Sequence, residues 1–428
     1  MRRVFTLIFC SIIILSTSFT YVKAEDNRPS VTAEGVALMD AATGELIFEQ
    51  NPDKKLAPAS TTKLMTALLV LENTNLDDMV TVGVNPPYAD GSRVGIITGE
   101  QFTVRDLLAG LLLSSGNDCA IALAEYISGS CEEFASLMNI RAKQLGCTNT
   151  NFTNPHGLYE ENHYTTARDL TYIMREVIKY QSFLEIEDAY YYEMAPTTID
   201  PNKKWLGNKN QLMLEGSRNY YPYAIAGKTG YTVAARHSYC AAAVKDGVTL
   251  ISAMINGEGR DVYFPETIQL FDYGYNNFRL VKLWEKNQVV SDLNLYEENI
   301  PLIASEDVYK MVKLEDLDTA MNSVSFQLEQ RELGNESFEA GTELLKASVY
   351  MGDKLIDTIP LLSGTSYEVP DKVIIEQKLA ALKPLMIKIV LALAGIAFII
   401  ILIRAINISR RKKRIRQARL KRFNKYYK

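Results

Sequence analysis

The chain is poor in the residues that build common metal and thiol sites, with five cysteines and three histidines in 428 positions. No two cysteines stand in C-x-x-C spacing, which argues against a zinc ribbon or a dithiol redox motif. Cys10 lies in an apolar N-terminal run, and Phe9 before it is too large for a lipoprotein processing site. The other four, Cys119, Cys131, Cys147 and Cys240, admit three full pairings among which spacing does not choose. Cys119 and Cys131 fall on an apolar helical pattern, so free, buried thiols are the expectation. His156 and His163 stand seven apart near Asp169 with no recognisable zinc signature. Nothing in the spacing brings either of them, or His237, to a serine as a Ser-His-Asp triad needs. Internal repeats and low-complexity linkers are also missing.

Basic residues are scarce through the body of the chain. Of 46 Lys and Arg, three lie in the first 24 residues, one is Lys388 and twelve lie from Arg404 onward. The remaining 30 face all 51 acids, a net charge of about −21, which argues against nucleic acid as a partner. Hydrophobic content of 47% and charged content of 23% suit a globular protein with a sizeable core, and the length suits two domains.

The two ends read differently. Arg2 and Arg3, an apolar run, and then Val22-Lys23-Ala24 predict a secretory signal peptide over residues 1–24. Residues 385–406 are apolar except for Lys388 and Arg404, and 22 residues at about 1.5 Å each cross a bilayer core. The tail that follows, RRKKRIRQARLKRFNKYYK, holds many Lys and Arg and no acid. By the positive-inside rule this predicts an extracytoplasmic body, one C-terminal anchor and a basic cytoplasmic tail at 407–428.

Between the ends, residues 35–50 alternate around Ala42-Thr43-Gly44 and predict a hairpin. A helix is expected to begin near Ser60. Thr103 is placed to cap a helix over 104–113, and helices follow at about 119–127, 132–145 and 167–179. Strands are expected at 224–226, 238–245 and 248–255, the last two joined by Asp246-Gly247, and a helix at about 265–278 closes a domain spanning 25–278. The pattern implies an α/β architecture, a mainly antiparallel sheet flanked by a helical cluster. Residues 279–370 read as a small all-β domain, and 371–384 as a helical lead into the membrane.

Three short motifs carry chemistry. Ser60 and Lys63 are three apart, on one face of a first helical turn, where a partly neutral amine can take a proton from a hydroxyl. Alone, this pair reads equally as a helix cap and a solvated lysine. Ser115-Gly116-Asn117 interrupts two apolar helices, and alone is an inter-helix turn. Lys228-Thr229-Gly230 follows a short strand, and alone is a strand-end turn. S-x-x-K, S-x-N and K-T-G in this order in an exported chain form the set found in penicillin-binding proteins and class A β-lactamases.

With PASTTKLMTALLVLE, LLAGLLLSSGNDCAIALAE, NPHGL followed by HYTTARDL, and IAGKTGYT, the chain over 36–278 resembles the serine-type D-alanyl-D-alanine carboxypeptidases of peptidase family S11, the low-molecular-mass penicillin-binding proteins. The resemblance implies a serine β-lactamase/penicillin-binding-protein-like transpeptidase fold, a C-terminal β domain, membrane attachment, a peptidoglycan stem peptide ending in D-Ala-D-Ala as substrate, inhibition by β-lactams, and no cofactor. It implies Ser60 as nucleophile, Lys63 as general base, Ser115 as proton relay, and Asn117 holding Lys63 and the substrate amide. Lys228 and Thr229 would bind the terminal carboxylate with a contribution from Arg260, Gly230 would let an extended peptide approach, and the amides of Ser60 and Tyr231 would form the oxyanion hole.

The chain departs from the family pattern in two places. Arg236-His237 stands where a Gly near Ala235 is common, so Arg236 is expected to alter preference at the cleft's edge. Cys119 replaces a more usual Ala. Two rivals remain. A β-lactamase would need an E-x-x-L-N loop, which Glu160-Glu161-Asn162 does not match. A non-catalytic β-lactam or wall-peptide sensor is opposed by the intact Ser60, Lys63 and Ser115.

Overall fold

The computed structural model describes residues 28–426 apart from 297, 332, 334 and 335, so the expected signal peptide lies outside the described residues. The chain divides into two compact units, one running to Val281 and including Tyr309–Ala320, the other made of Lys282–Val308 and the chain from Met321 onward.

In the first unit the elements run β1 (Gly35–Asp40), β2 (Leu46–Gln50), α1 (Lys63–Asn73), β3 (Met79–Thr81), β4 (Gln101–Thr103), α2 (Val104–Leu113), α3 (Asn117–Ser128), α4 (Cys131–Gln144), α5 (Ala167–Val177) and α6 (Gln181–Glu187). They continue as β5 (Tyr191–Met194), β6 (Lys204–Gly207), β7 (Ala224–Thr232), β8 (Arg236–Lys245), β9 (Val248–Gly257) and α7 (Arg260–Asn277). The main sheet has the order β2-β1-β9-β8-β7, with every pair antiparallel. β1 is buried along its whole length because successive side chains serve two cores. Ala37 and Met39 face the helical cluster that includes α1, α2 and α5, whereas Val36 and Leu38 face Phe264, Leu270 and Phe271 of α7.

The expected hairpin and the helices at 104–113, 119–127, 132–145 and 167–179 are present within a few residues. Thr103 caps α2 reciprocally: its hydroxyl accepts the Asp106 N–H at 3.1 Å, and the Asp106 carboxylate accepts the Thr103 N–H at 3.2 Å.

Two expectations are corrected. The K-T-G motif lies inside β7, not in a turn after a short strand. α7 starts at Arg260, not near Pro265; a proline one turn in removes a single intrahelical hydrogen bond, which the helix absorbs. The β5–β6 hairpin is an addition to the expected strands. It is held by inner-face packing of Met194 and Leu206 and by Tyr192, whose hydroxyl donates to Asp106 at 2.9 Å.

The chain goes on through β10 (Phe278–Trp284), β11 (Val289–Leu295), β12 (Glu298–Ala304), β13 (Val308–Lys313), α8 (Leu317–Asn322), β14 (Val324–Leu328), β15 (Glu343–Met351) and β16 (Lys354–Ser363). The second unit holds a five-stranded antiparallel sheet of order β11-β12-β16-β15-β14 over an apolar core that includes Ile300, Leu302, Ala347, Val349 and Leu361. α9 (Asp371–Tyr426) continues unbroken through Pro384, and its Asp371–Arg422 portion is long and apolar enough to cross a membrane.

Candidate active site

Ser60 lies in a single 3-10 turn, Ala59–Thr62, directly before α1. Two threonines tighten this turn from within. Thr61 Oγ1 donates to the Pro58 carbonyl and Thr62 Oγ1 to the Ala59 carbonyl, both at 2.8 Å. Ala59 is held in the left-handed region, at φ 50°. The NPHGL loop packs onto the turn so closely that a Cβ on Gly157, at φ +85°, would sit 1.9 Å from the Ala59 carbonyl oxygen. His163 secures the same turn. Its Nδ1 accepts the Thr153 N–H at 3.1 Å, so Nε2 carries the proton and donates to Thr62 Oγ1 at 2.9 Å. His163 is thus a support for the Ser60 turn.

Lys63 opens α1 one turn beyond Ser60, with its side chain fully buried. Nζ lies 3.0 Å from Ser60 Oγ, 2.7 Å from Asn117 Oδ1 and 2.8 Å from the His156 carbonyl oxygen. The latter two atoms only accept, and they use the two N–H bonds of a neutral amine; its lone pair is left facing the serine. The Asn117 amide is oriented from its far side, where Nδ2 donates to the Asp90 carbonyl at 2.6 Å. Burial first, and the Lys228 charge second, hold the Lys63 amine well below the ordinary lysine range.

Ser115 sits at the break between α2 and α3 with φ 60°, an uncommon conformation for a residue with a side chain. Its neighbours fix that break. The Gly116 N–H donates to the Gly110 carbonyl at 3.0 Å, and the buried Asp118 carboxylate accepts N–H groups of Val94, Gly95 and Ile96. Cys119 packs α3 on α2 at Gly110, where an added Cβ would come within 2.5 Å of its sulfur, so the departure from alanine is a packing feature. Burial pushes this thiol well above the usual range.

Lys228, on β7, is buried, and its Nζ donates to Ser115 Oγ and to the Thr229 carbonyl, each at 3.1 Å. Burial lowers its affinity for a proton and the Glu187 carboxylate opposes that loss. A Cβ on Gly230 would lie 2.8 Å from the Ser60 backbone nitrogen. The glycine therefore lets β7 approach the Ser60 turn.

A cleft of about 320 Å³ opens over these groups. Ser60, Ser115, Thr229, Gly230, Tyr231 and Arg260 line it, while Lys63, Asn117 and Lys228 sit buried behind it. Ser92, Lys209 and Tyr263 also line it and went unread in the sequence, since no spacing ties them to the motifs; His237, weighed there only as a triad candidate and as Arg236's neighbour, lines it too. Arg236 is not among the lining residues. It takes φ 51° at the end of the three-residue β7–β8 connection, the left-handed place a glycine would fill, and its neighbour His237 is the one that reaches the cleft. Burial holds His156 at about 3 and His163 at about 4, so both imidazoles are neutral at physiological pH. Glu160, in the stretch where a β-lactamase base was sought, accepts from Asn154 Nδ2 at 2.9 Å. Cys119, Cys147 and Cys240 are buried free thiols, and Cys131 is free but only half-buried.

Residues 22–259 match the model of the D-alanyl-D-alanine carboxypeptidase peptidase family S11, and residues 278–369 that of the penicillin-binding protein 5 C-terminal domain. The chain is 30% identical to D-alanyl-D-alanine carboxypeptidase DacF of Bacillus subtilis (strain 168), over 80% of this chain and 89% of that one. It is 33% identical to DacA of Haemophilus influenzae, over 69% and 76%. Among solved structures, penicillin binding protein 5 from Haemophilus influenzae superposes with a TM-score of 0.67 at 28% identity, covering 79% of this chain and 99% of that one. The three motifs converge on one cleft and a family model covers more than half of the chain: it belongs to the D-alanyl-D-alanine carboxypeptidase family of serine peptidases.

Proposed function

We propose that Ser60 is the nucleophile with which this D-alanyl-D-alanine carboxypeptidase removes the terminal D-alanine of peptidoglycan stem peptides. The observation that carries this reading is the fully buried Lys63 amine, 3.0 Å from Ser60 Oγ with both of its other contacts to pure acceptors. Lys63 takes the hydroxyl proton as Oγ bonds to the carbonyl carbon between the two D-alanines. The oxyanion that forms is met by the backbone amides of Ser60 and Tyr231. Collapse breaks the C–N bond. Ser115, whose Oγ accepts from Lys228 Nζ, passes a proton to the leaving amine and is itself reprotonated with the proton that Lys63 took up, and D-alanine departs from an ester on Ser60. Water attacks the ester, gives its proton back through Lys63, and frees the shortened peptide.

Substrate orientation follows from charge. Lys228, Thr229 and Arg260 supply two cations and a hydroxyl for the terminal carboxylate, and Asn117 holds the peptide amide as well as Lys63. β7 is the outer strand of its sheet, so an extended peptide can pair along its free edge. A β-lactam carries a carboxylate and a strained amide in the same relation, and would leave a slowly hydrolysed ester on Ser60. The leader at 1–24 exports the chain, the helix at 385–406 anchors it, and the basic residues at 407–428 stay on the cytoplasmic side. The test is release of D-alanine from diacetyl-lysyl-D-alanyl-D-alanine by the full chain in detergent. Release that disappears in Ser60→Ala is expected, and release that survives this substitution would refute the assignment.

A further inference from the structure

We infer that Glu187 is a positioning residue for this reaction, the buried counter-ion that keeps Lys228 charged for binding the substrate carboxylate; the inference rests on that reading of Lys228. Glu187 is the last residue of α6 and is 2% exposed. Both facts weigh against an ionised carboxylate there, because burial strips its hydration and the C-terminal end of a helix repels negative charge. One compensation is local. Oε2 accepts the Gly227 N–H at 3.0 Å, within β7 and one residue before Lys228. A glutamine would accept that N–H equally well and bring no charge to bury. The charge therefore has its use at the next residue.

Lys228 is buried to the same degree, and its Nζ donates only to uncharged oxygens, on Ser115 and Thr229. The charged groups that act on it are Glu187 from α6, which favours its protonated form, and Lys209 from the segment after β6, which opposes it. Lys63 from α1 is held towards its neutral form by burial first and by the Lys228 charge second. Three lysines thus share one site, and Glu187 is the carboxylate that acts on Lys228. Glu187 is not among the residues that line the cleft, so its effect on the reaction passes through the groups it meets, Lys228 and the Gly227 N–H.

The experiment is the pH dependence of D-alanine release by the full chain in detergent, compared with Glu187→Gln, which retains the acceptor for Gly227. Expected is a KM raised about tenfold near pH 8 with kcat less affected, and an alkaline limb of kcat/KM displaced to lower pH by about one unit. Glu187→Asp should recover part of both. An unchanged profile in Glu187→Gln would overturn the inference. Thermal melting supplies a second arm that does not depend on activity. Lys228→Gln leaves a carboxylate buried without its cation, so the double variant Lys228→Gln/Glu187→Gln should melt higher than Lys228→Gln alone; strictly additive losses would overturn the pairing. If Lys228→Gln itself leaves KM unchanged, the carboxylate-binding reading of Lys228 falls, and this inference with it, whatever Glu187→Gln does.

Discussion

The two units bury different things. The first encloses Lys63, Lys228, Glu187, Glu100, Asp118 and Asp169, together with a dozen or more uncharged polar side chains, whereas among the described residues of the second only Ser363 is a buried polar group. Ionisable groups are expensive to desolvate, and a chain gains nothing in stability by placing two lysines in its interior without chemistry to perform. Backbone strain reaches the site itself: Ala59, beside the nucleophile, and Ser115, the relay, both lie in the left-handed region without being glycine. The second unit is instead an ordinary antiparallel sheet over Ile300, Leu302, Val349 and Leu361, built to be stable and not to react.

The contrast can be broken most sharply at Lys63. Lys63→Arg keeps a long basic side chain but stays protonated and cannot offer a neutral base, so acylation by penicillin and D-alanine release should both fall on the order of 10³-fold. Near-normal acylation in this variant, read by rapid quench, would move the base elsewhere.

A smaller effect lies in the pH dependence of stability. His156 and His163 titrate at about 3 and about 4 in the folded unit, below the ordinary value of about 6.5 in the unfolded chain. Between those limits the unfolded chain binds the extra protons. Stability is therefore fully present above about pH 6.5 and is lost as pH falls, by up to about 1.4 kcal/mol per histidine and pH unit. All three histidines, His156, His163 and His237, lie in the first unit. Scanning calorimetry at pH 7 and pH 5 should show its transition falling, with a smaller fall in His163→Gln, while the transition of the β unit stays in place.

The smallest effect on turnover is expected from the second unit. Leu361→Ala empties a fully buried position and should cost about 2–5 kcal/mol in that unit, yet leave kcat/KM per folded molecule unaltered. A comparable loss of turnover would show that the β unit takes part in catalysis.

Much of this was legible in the sequence, for reasons that differ from element to element. The hairpin at 35–50, the Thr103 cap and the Asp246-Gly247 turn between the strands at 238–245 and 248–255 are local signals, and they reappear with small shifts at their ends. Ser60, Lys63, Ser115, Asn117 and Lys228 were legible because their chemistry demands short fixed spacings. What escaped depends on contacts distant in sequence. β7 extends through K-T-G because β8 pairs with it, Gly230 is required by the Ser60 turn 170 residues earlier, and Lys209 and His237 reach the cleft with no motif to announce them. Glu187 belongs to no motif, and its burial against β7 is set by contacts with residues forty positions away.

The central claim, that a buried neutral lysine turns Ser60 into the nucleophile, is tested most directly by mass spectrometry of the penicillin-treated full chain followed by peptide mapping. The account predicts one penicilloyl group, on the peptide containing Ser60, absent in Ser60→Ala and formed far more slowly in Lys63→Arg. An adduct on Ser115 or any other residue, or equal rates in the unaltered chain and Lys63→Arg, would contradict it.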